Sequence, residues 1–289
     1  MTFNEQYQNY KNLIDDYLKL PELKGKALCE PVQYCLNAGG KRLRPVLFLA
    51  FYEAYGGDLS HNAAAALSCA LEMLHTSTLI QDDLPCMDDD DLRRGKPACH
   101  KAFSEADAVL SASALQFYAL QKITEASPPN VTEIIKTICA YMGIDGVYGG
   151  QRLDLLYEKT TPTTEEILTM YSMKTCALLQ ACCICGCLAA GLNIIDKAVE
   201  TAGKYAYYLG LAFQITDDIL ELTGNEETLG KPAGSDLKNN KKTYAAVTGL
   251  EKAREDAEKF TEEALGLLKN VPNPEFITKL TKNLLNREN

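Results

Sequence analysis

Apolar side chains return every third or fourth position along most of the chain, as at Leu67, Leu71, Leu74 and Thr78 or at Leu153, Leu156 and Tyr157. Val, Ile and the aromatics nowhere build a run of alternating strands, so the rhythm predicts an all-α protein. Helices are expected at about 4–20, 28–37, 42–57, 60–83, 98–125, 131–158, 164–191, 194–222, 241–269 and 273–286. Gly56-Gly57 and Pro128-Pro129 mark breaks, Thr161-Pro162-Thr163-Thr164 before Glu165-Glu166 reads as an N-cap, and 224–235 reads as a loop. Long helices on short loops imply a bundle, and with no linker or low-complexity tract residues 1–289 read as one domain.

A net charge of −10 without a Lys/Arg block opposes a nucleic-acid backbone or an anionic membrane surface, so no nucleic-acid partner is expected. Residues 1–20 lack the basic and apolar regions of a signal peptide, which points to the cytoplasm. The most apolar stretch, 177–192, is shorter than the roughly 20 residues of a membrane span, so no span is expected. Eleven cysteines are then reduced thiols. Cys182, Cys183, Cys185 and Cys187 sit among Ala, Leu, Ile and Gly with no His nearby, which favours core packing over a metal or redox role.

Two acidic clusters stand at the same distance from a Gly-Lys-Pro step. Asp82-Asp83 precede Gly95-Lys96-Pro97 and Asp217-Asp218 precede Gly230-Lys231-Pro232, with fourteen positions from first Asp to Lys in each case. Paired carboxylates suit Mg²⁺, a hard ion that takes one or two of them together with phosphate oxygens and water. Asp82 and Asp88 are six apart and could not share a site on an unbroken helix, but Pro85 between them can bend the chain. Asp217, Asp218 and Glu221 already share a helical face by their spacing. A solvated acidic surface is the other reading of 88–91; Leu92-Arg93-Arg94-Gly95-Lys96, directly after it, favours a diphosphate site where acids hold metal and bases hold phosphate.

Gly39-Gly40-Lys41-Arg42-Leu43-Arg44-Pro45 adds cations near a helix start. No P-loop, dinucleotide fingerprint or nucleophile elbow is present, so covalent catalysis has no evident agent.

These elements, with Leu79 to Gly95 (LIQDDLPCMDDDDLRRG), Gly149-Gly150-Gln151, Lys174-Thr175 and Phe213 to Glu221 (FQITDDILE), resemble the trans-isoprenyl diphosphate synthases of the bacterial and plastid farnesyl and geranylgeranyl type. The resemblance implies an isoprenoid-synthase bundle around a deep central cavity, usually a homodimer, with three Mg²⁺ holding an allylic diphosphate. By it, Asp82 and Asp88, with Asp83 nearby, ligate two ions and Asp217 the third. Arg93, Lys174, Lys231 and Lys241 hold the allylic diphosphate, with Thr175 and Gln214 lining that site, while Lys41, Arg44, His75 and Arg94 bind isopentenyl diphosphate. Asp82, Asp83, Asp88, Arg93, Lys174, Asp217 and Lys231 form the catalytic set. The chain departs from the family pattern at Gln81, at Ala112-Ser113, at Asn239-Asn240, at Lys242 and at Glu221, where His, Gly-Asp, Leu-Gly, Ser and Asp are usual.

The implied reaction is a head-to-tail condensation of isopentenyl diphosphate with dimethylallyl, geranyl or farnesyl diphosphate, giving farnesyl or geranylgeranyl diphosphate. Ser77 and Thr78 lie about one turn below Asp82 and can floor the pocket for the growing chain. Farnesyl-forming relatives often carry Tyr or Phe at the Ser77 position, so a serine there suggests a deeper cavity and a twenty-carbon or mixed product. The competing reading is that Phe117 or Tyr118 blocks elongation. Two other functions stand beside the synthase: a terpene synthase or cyclase, which needs no second diphosphate pocket, and a weakly active partner subunit of another synthase.

Overall fold

The computed structural model describes residues 1–21, 24–223 and 242–285. Its order is α1 (Phe3–Tyr17), α2 (Lys26–Leu36), α3 (Leu43–Ala54), α4 (Asn62–Asp82), a ribbon of β1 (Leu92–Arg93) and β2 (Lys96–Pro97), α5 (Cys99–Ala102), α6 (Glu105–Ala126), α7 (Val131–Met142) and α8 (Val147–Tyr157). Then come α9 (Thr164–Tyr171), a π-helical turn (Ser172–Cys176), α10 (Ala177–Ala189), α11 (Lys197–Thr223), α12 (Tyr244–Thr248), α13 (Leu250–Leu268) and α14 (Glu275–Leu285). The expected all-α class holds.

Three expected helices are divided. The one at 98–125 breaks at Phe103, whose φ −124°, ψ −101° is not helical, and restarts on Ser104, whose hydroxyl accepts the Asp107 amide. The one at 131–158 breaks at Gly143, which is extended, and at Gly146, whose φ −128°, ψ −139° is not helical. The one at 241–269 breaks at Gly249, whose φ of +87° no helix accommodates. Thr163 caps α9 as expected, its hydroxyl accepting the Glu166 amide while the Glu166 carboxylate accepts the Thr163 N–H.

The core gathers on α4 and α10, which are buried almost all round against α3, α6, α7 and α11. By length and composition Asn62–Asp82 and Thr164–Ala189 are apolar enough to cross a membrane, and 83% and 72% of their apolar windows are buried inside the fold. The expectation of too short a stretch overlooked that helix continues back from Ala177 to Thr164; its apolar length serves the core. A smaller apolar cluster of Tyr157, Ile167, Met170, Tyr171, Leu211, Ile215, Ile219 and Tyr244 backs the C-terminal half of α11 and fixes the side of α11 that turns outward. All eleven cysteines are free thiols and seven are buried, including Cys182, Cys183, Cys185 and Cys187.

Candidate active site

Both acidic motifs lie at or near the C-terminal ends of long helices, α4 and α11. After Asp82 the chain turns at Leu84 and Pro85: the Met87 and Asp89 amides donate to the Leu84 carbonyl, and the Asp88 amide donates to the Asp82 carbonyl at 2.9 Å. The bend expected at Pro85 is present, and it brings Asp88 back onto the turn that carries Asp82. Burial raises the Asp82 carboxyl to about 6, Lys174 opposes that rise, and Asp88 adds to it. Carboxylates crowded and desolvated in this way favour a bound cation. Among the described residues no three His, Cys, Asp or Glu side chains form a closed cage, so this chain offers hard oxygen donors in small groups that leave coordination positions for substrate oxygens.

Asp83 turns away from Asp82 and is buried against Arg93, whose Nε donates to it at 2.8 Å; Arg93 Nη2 binds Asp83 as well and reaches Asp90 at 3.1 Å. The short β1–β2 ribbon, with Arg94 at φ 55° and Gly95 at φ 76° in its turn, sets these two arginines on different sides. Arg93 serves the acidic motif, whereas Arg94 points to the Gly39 carbonyl. Its guanidinium packs so closely that a Cβ on Gly40 would stand 2.7 Å from it, which accounts for a glycine at that position.

Beside it lies a cationic cluster. Arg44 Nη1 donates to His75 Nε2 at 3.1 Å, and the buried Nε of Arg44 has no protein partner among the described residues. His75 is held well below its ordinary pKa by burial and by Arg44, Arg94, Arg93 and Arg42, so it stays neutral and accepts from Arg44. The one buried carboxylate here is Glu72, 1% exposed, paired with Arg42 at 2.8 Å and with Arg94 at 3.8 Å. Arg42, in left-handed geometry at the start of α3, also binds Asp15 at 3.0 Å and the Leu36 carbonyl at 2.7 Å, so its donors are spent on the fold. Arg44 and Arg94 keep capacity for an anion. Lys41 is exposed at the rim, with its carbonyl bound by Tyr7.

On the other side the π turn faces Asp82. It carries Lys174 and Thr175; Lys174 pairs with the buried Asp154 of α8 at 2.5 Å, and Thr175 donates to Gln214 of α11 at 3.0 Å. A Cβ on Gly150 would fall 2.2 Å from the Lys174 amide, so this glycine lets α8 seat directly on the turn. Both amide atoms of the neighbouring Gln151 are buried without a protein partner among the described residues.

The second acidic motif divides. Asp218 is 3% exposed, and its Oδ2 accepts from the Tyr171 hydroxyl at 2.6 Å and the Tyr244 amide at 3.0 Å. Its Oδ1 accepts from Gln214 Nε2 at 3.4 Å, so Asp218 reaches both the site and the apolar side, and the face expected for Asp217, Asp218 and Glu221 is shared only in part, since adjacent residues on a helix point about 100° apart. Asp217 is half-buried on the next face. Lys231 and Lys241 lie outside the described residues, as does the expected loop at 224–235. Ser77 and Thr78 are buried, their hydroxyls bound to the Leu74 and His75 carbonyls at 2.7 and 2.8 Å.

Two contributors escaped sequence reasoning: Glu72 and Asp154. A lone acid in the apolar run Leu71–Leu74, three before His75, was the signal for Glu72; Asp154, likewise, is an acid on a face shared with Gly150.

The polyprenyl synthetase family model matches residues 25–283. The farnesyl diphosphate synthase of Bacillus subtilis is 39% identical over 266 residues, 90% of this chain and 87% of that one. That of Geobacillus stearothermophilus is 41% identical over 274 residues, 93% and 90%. The chloroplastic geranylgeranyl pyrophosphate synthase 9 of Arabidopsis thaliana is 42% identical over 255 residues, 86% and 70%. Among solved structures, a geranyltransferase from Helicobacter pylori complexed with magnesium and isoprenyl diphosphate superposes with a TM-score of 0.86 at 31% identity, covering 99% and 97% of the two chains.

Proposed function

The chain belongs to the polyprenyl synthetase family, and we propose that it condenses isopentenyl diphosphate with an allylic diphosphate to give farnesyl or geranylgeranyl diphosphate. One observation carries this reading: His75 and Asp82 stand seven residues apart on α4, two turns and about 10 Å along one face, with an arginine cluster at the first and an acidic motif at the second. That spacing suits two diphosphates bound side by side. A cyclase would need only the acidic end.

Arg44, Arg94 and Lys41 would grip the diphosphate of isopentenyl diphosphate, with the buried Arg44 Nε as one donor. Lys174, Thr175, Gln214 and Arg93 would hold the allylic diphosphate; Lys231 and Lys241 belong to the same proposal. Asp82, Asp88 and Asp217 would hold magnesium, three ions by family expectation, which neutralises charge developing on the leaving diphosphate. Lys174, already aligned by Asp154, stabilises the same charge without protein reorganisation. The allylic C–O bond breaks with its electron pair leaving on diphosphate, the π pair of isopentenyl diphosphate forms the new bond to the allylic carbon, and the resulting cation gives up a proton to the departing diphosphate to form the new double bond.

The same proposal takes residues 1–289 as one synthase domain, active in the cytoplasm as a homodimer. Val109, Leu110 and Phe117 on α6 are exposed at 49%, 57% and 74%, an apolar face suited to a second copy. Light scattering of the purified chain tests the dimer.

The central test is incorporation of radiolabelled isopentenyl diphosphate by the purified chain with magnesium and geranyl diphosphate. Release of diphosphate without incorporation would point to a cyclase. No turnover at saturation would point to a partner subunit.

A further inference from the structure

Tyr171 closes α9 and is followed at once by the π turn that carries Lys174 and Thr175, yet its side chain reaches α11. The residue is 4% exposed and lies in the apolar cluster with Ile167, Met170, Leu211, Ile215 and Ile219. Its hydroxyl donates to Asp218 Oδ2 at 2.6 Å and accepts the Tyr244 amide at 3.0 Å, and that amide also reaches Asp218 Oδ2 at 3.0 Å. A carboxylate only accepts and a backbone amide only donates, so the direction of each bond in this triangle is fixed. In apolar surroundings such bonds are stronger than at a surface, and losing one leaves a buried oxygen short of a donor.

The other oxygen of Asp218 faces the site. Oδ1 accepts from Gln214 Nε2, one turn earlier on α11, which directs the Gln214 carbonyl oxygen to Thr175, whose hydroxyl donates to it at 3.0 Å. A line of bonds thus runs from Tyr171 through Asp218 and Gln214 to Thr175. It returns to the segment it left, so that segment and α11 are fastened at two points, Tyr171 to Asp218 and Thr175 to Gln214, one turn apart on each side. Asp217 adjoins the anchored acid and is half-buried on the next face, so the rotation of α11 that seats Asp218 also sets where Asp217 stands. A bond to any buried carbonyl would serve packing equally well; here the hydroxyl is spent on the acid beside a candidate metal ligand.

We propose that Tyr171 is a positioning residue for the second acidic motif: by holding Asp218 it fixes Asp217 for magnesium and Gln214 and Thr175 for the allylic diphosphate. This rests on the synthase reading. Tyr171 itself touches neither metal nor substrate and acts through Asp218. Its effect falls on the allylic half of the site, because the arginine cluster for isopentenyl diphosphate is built on α3, α4 and the β1–β2 ribbon, outside this line of bonds.

The test uses Tyr171→Phe, which removes one oxygen from a buried ring. Magnesium is titrated into the full chain in the presence of inorganic diphosphate, and the rise in melting temperature gives a midpoint that does not depend on turnover. Tyr171→Phe moves that midpoint to roughly tenfold higher magnesium, the lower end of the loss that follows removal of a group orienting a metal ligand. In radiolabelled isopentenyl incorporation the same variant raises the KM for geranyl diphosphate and leaves that for isopentenyl diphosphate unchanged. Asp218→Asn weakens the acceptor of the same bond and shifts the magnesium midpoint the same way; the double variant shifts it no further than the larger single change, since both act through one contact. Asp218→Asn serves alone if Tyr171→Phe does not fold, and an unchanged midpoint in it overturns the assignment. A folded Tyr171→Phe whose magnesium midpoint and geranyl KM match the unmodified chain also overturns it, even where kcat falls, as do additive shifts in the double variant. An unmodified chain that incorporates no isopentenyl diphosphate at all overturns the synthase reading, and this assignment with it, and is told apart by that zero.

Discussion

The amide of Asp88 closes on the carbonyl of Asp82 at 2.9 Å, so a six-residue excursion at the end of α4 delivers two carboxylates to one place. Burial lifts Asp82 to about 6. A raised carboxyl favours folding below the ordinary pKa near 4, and that contribution is lost as pH rises through about 6. At pH 7.5 without magnesium Asp82→Asn should therefore raise stability by about 1–2 kcal/mol while lowering turnover by about 10²-fold or more. Thermal melting and isopentenyl incorporation on one preparation check both halves.

Glu72 is the buried counter-charge of Arg42 and Arg94. Glu72→Ala should cost about 3–5 kcal/mol in chemical denaturation, because Arg42 remains buried without it. Glu72→Gln, which keeps an acceptor, should recover part of that loss and still raise the KM for isopentenyl diphosphate.

His75 contributes a pH dependence opposite in sign to that of Asp82. Its pKa is lowered by burial and by arginines, so the folded chain binds its proton less readily than the unfolded chain does. The stability this provides is complete above about pH 6.5 and is lost as pH falls toward the folded value, at up to about 1.4 kcal/mol per pH unit. Because Asp82 contributes with the opposite sign in the same range, denaturation midpoints between pH 7.5 and 5 in an Asp82→Asn background should show the slope, and adding His75→Gln should flatten it.

Lys174 is aimed by Asp154. Asp154→Asn should keep the fold and lower kcat by about tenfold with a smaller change in KM, as expected when a group is mispositioned for the charge of the transition state. Lys174→Ala should cost more, since it removes the cation and takes its counter-charge from the buried Asp154.

Thiol labelling should separate the cysteines. Cys86 and Cys139 are exposed, whereas burial raises the thiols of Cys182, Cys183 and Cys185, and that of Cys187 up to about 12. A thiol reagent at pH 8 should modify the first two quickly and the cluster of four only after denaturant is added.

Helix content and the acidic motifs were readable in sequence because both depend on local spacing: a 3.6-residue rhythm, a proline between Asp82 and Asp88, a capping box at Thr163. The breaks at Phe103, Gly143 and Gly249 were hidden because apolar spacing continues across them while the backbone does not. Glu72 and Asp154 escaped because their meaning comes from partners 30 and 20 residues away. Asp218 was misread for a related reason: spacing alone does not tell a carboxylate facing solvent from one satisfied by a tyrosine hydroxyl and a backbone amide.

The π turn at Ser172–Cys176 accommodates one residue more than a straight helix would, with the Ala177 amide reaching back to Ser172. Deleting a residue there would restore an unbroken helix and keep the cysteine-lined face of α10 in register with α3 and α11, because the wide turn absorbs the extra residue instead of passing it on as a rotation of about 100°. The turn thus sets the presentation of Lys174 and Thr175 locally, while the packing of the helix beyond it keeps its own phase.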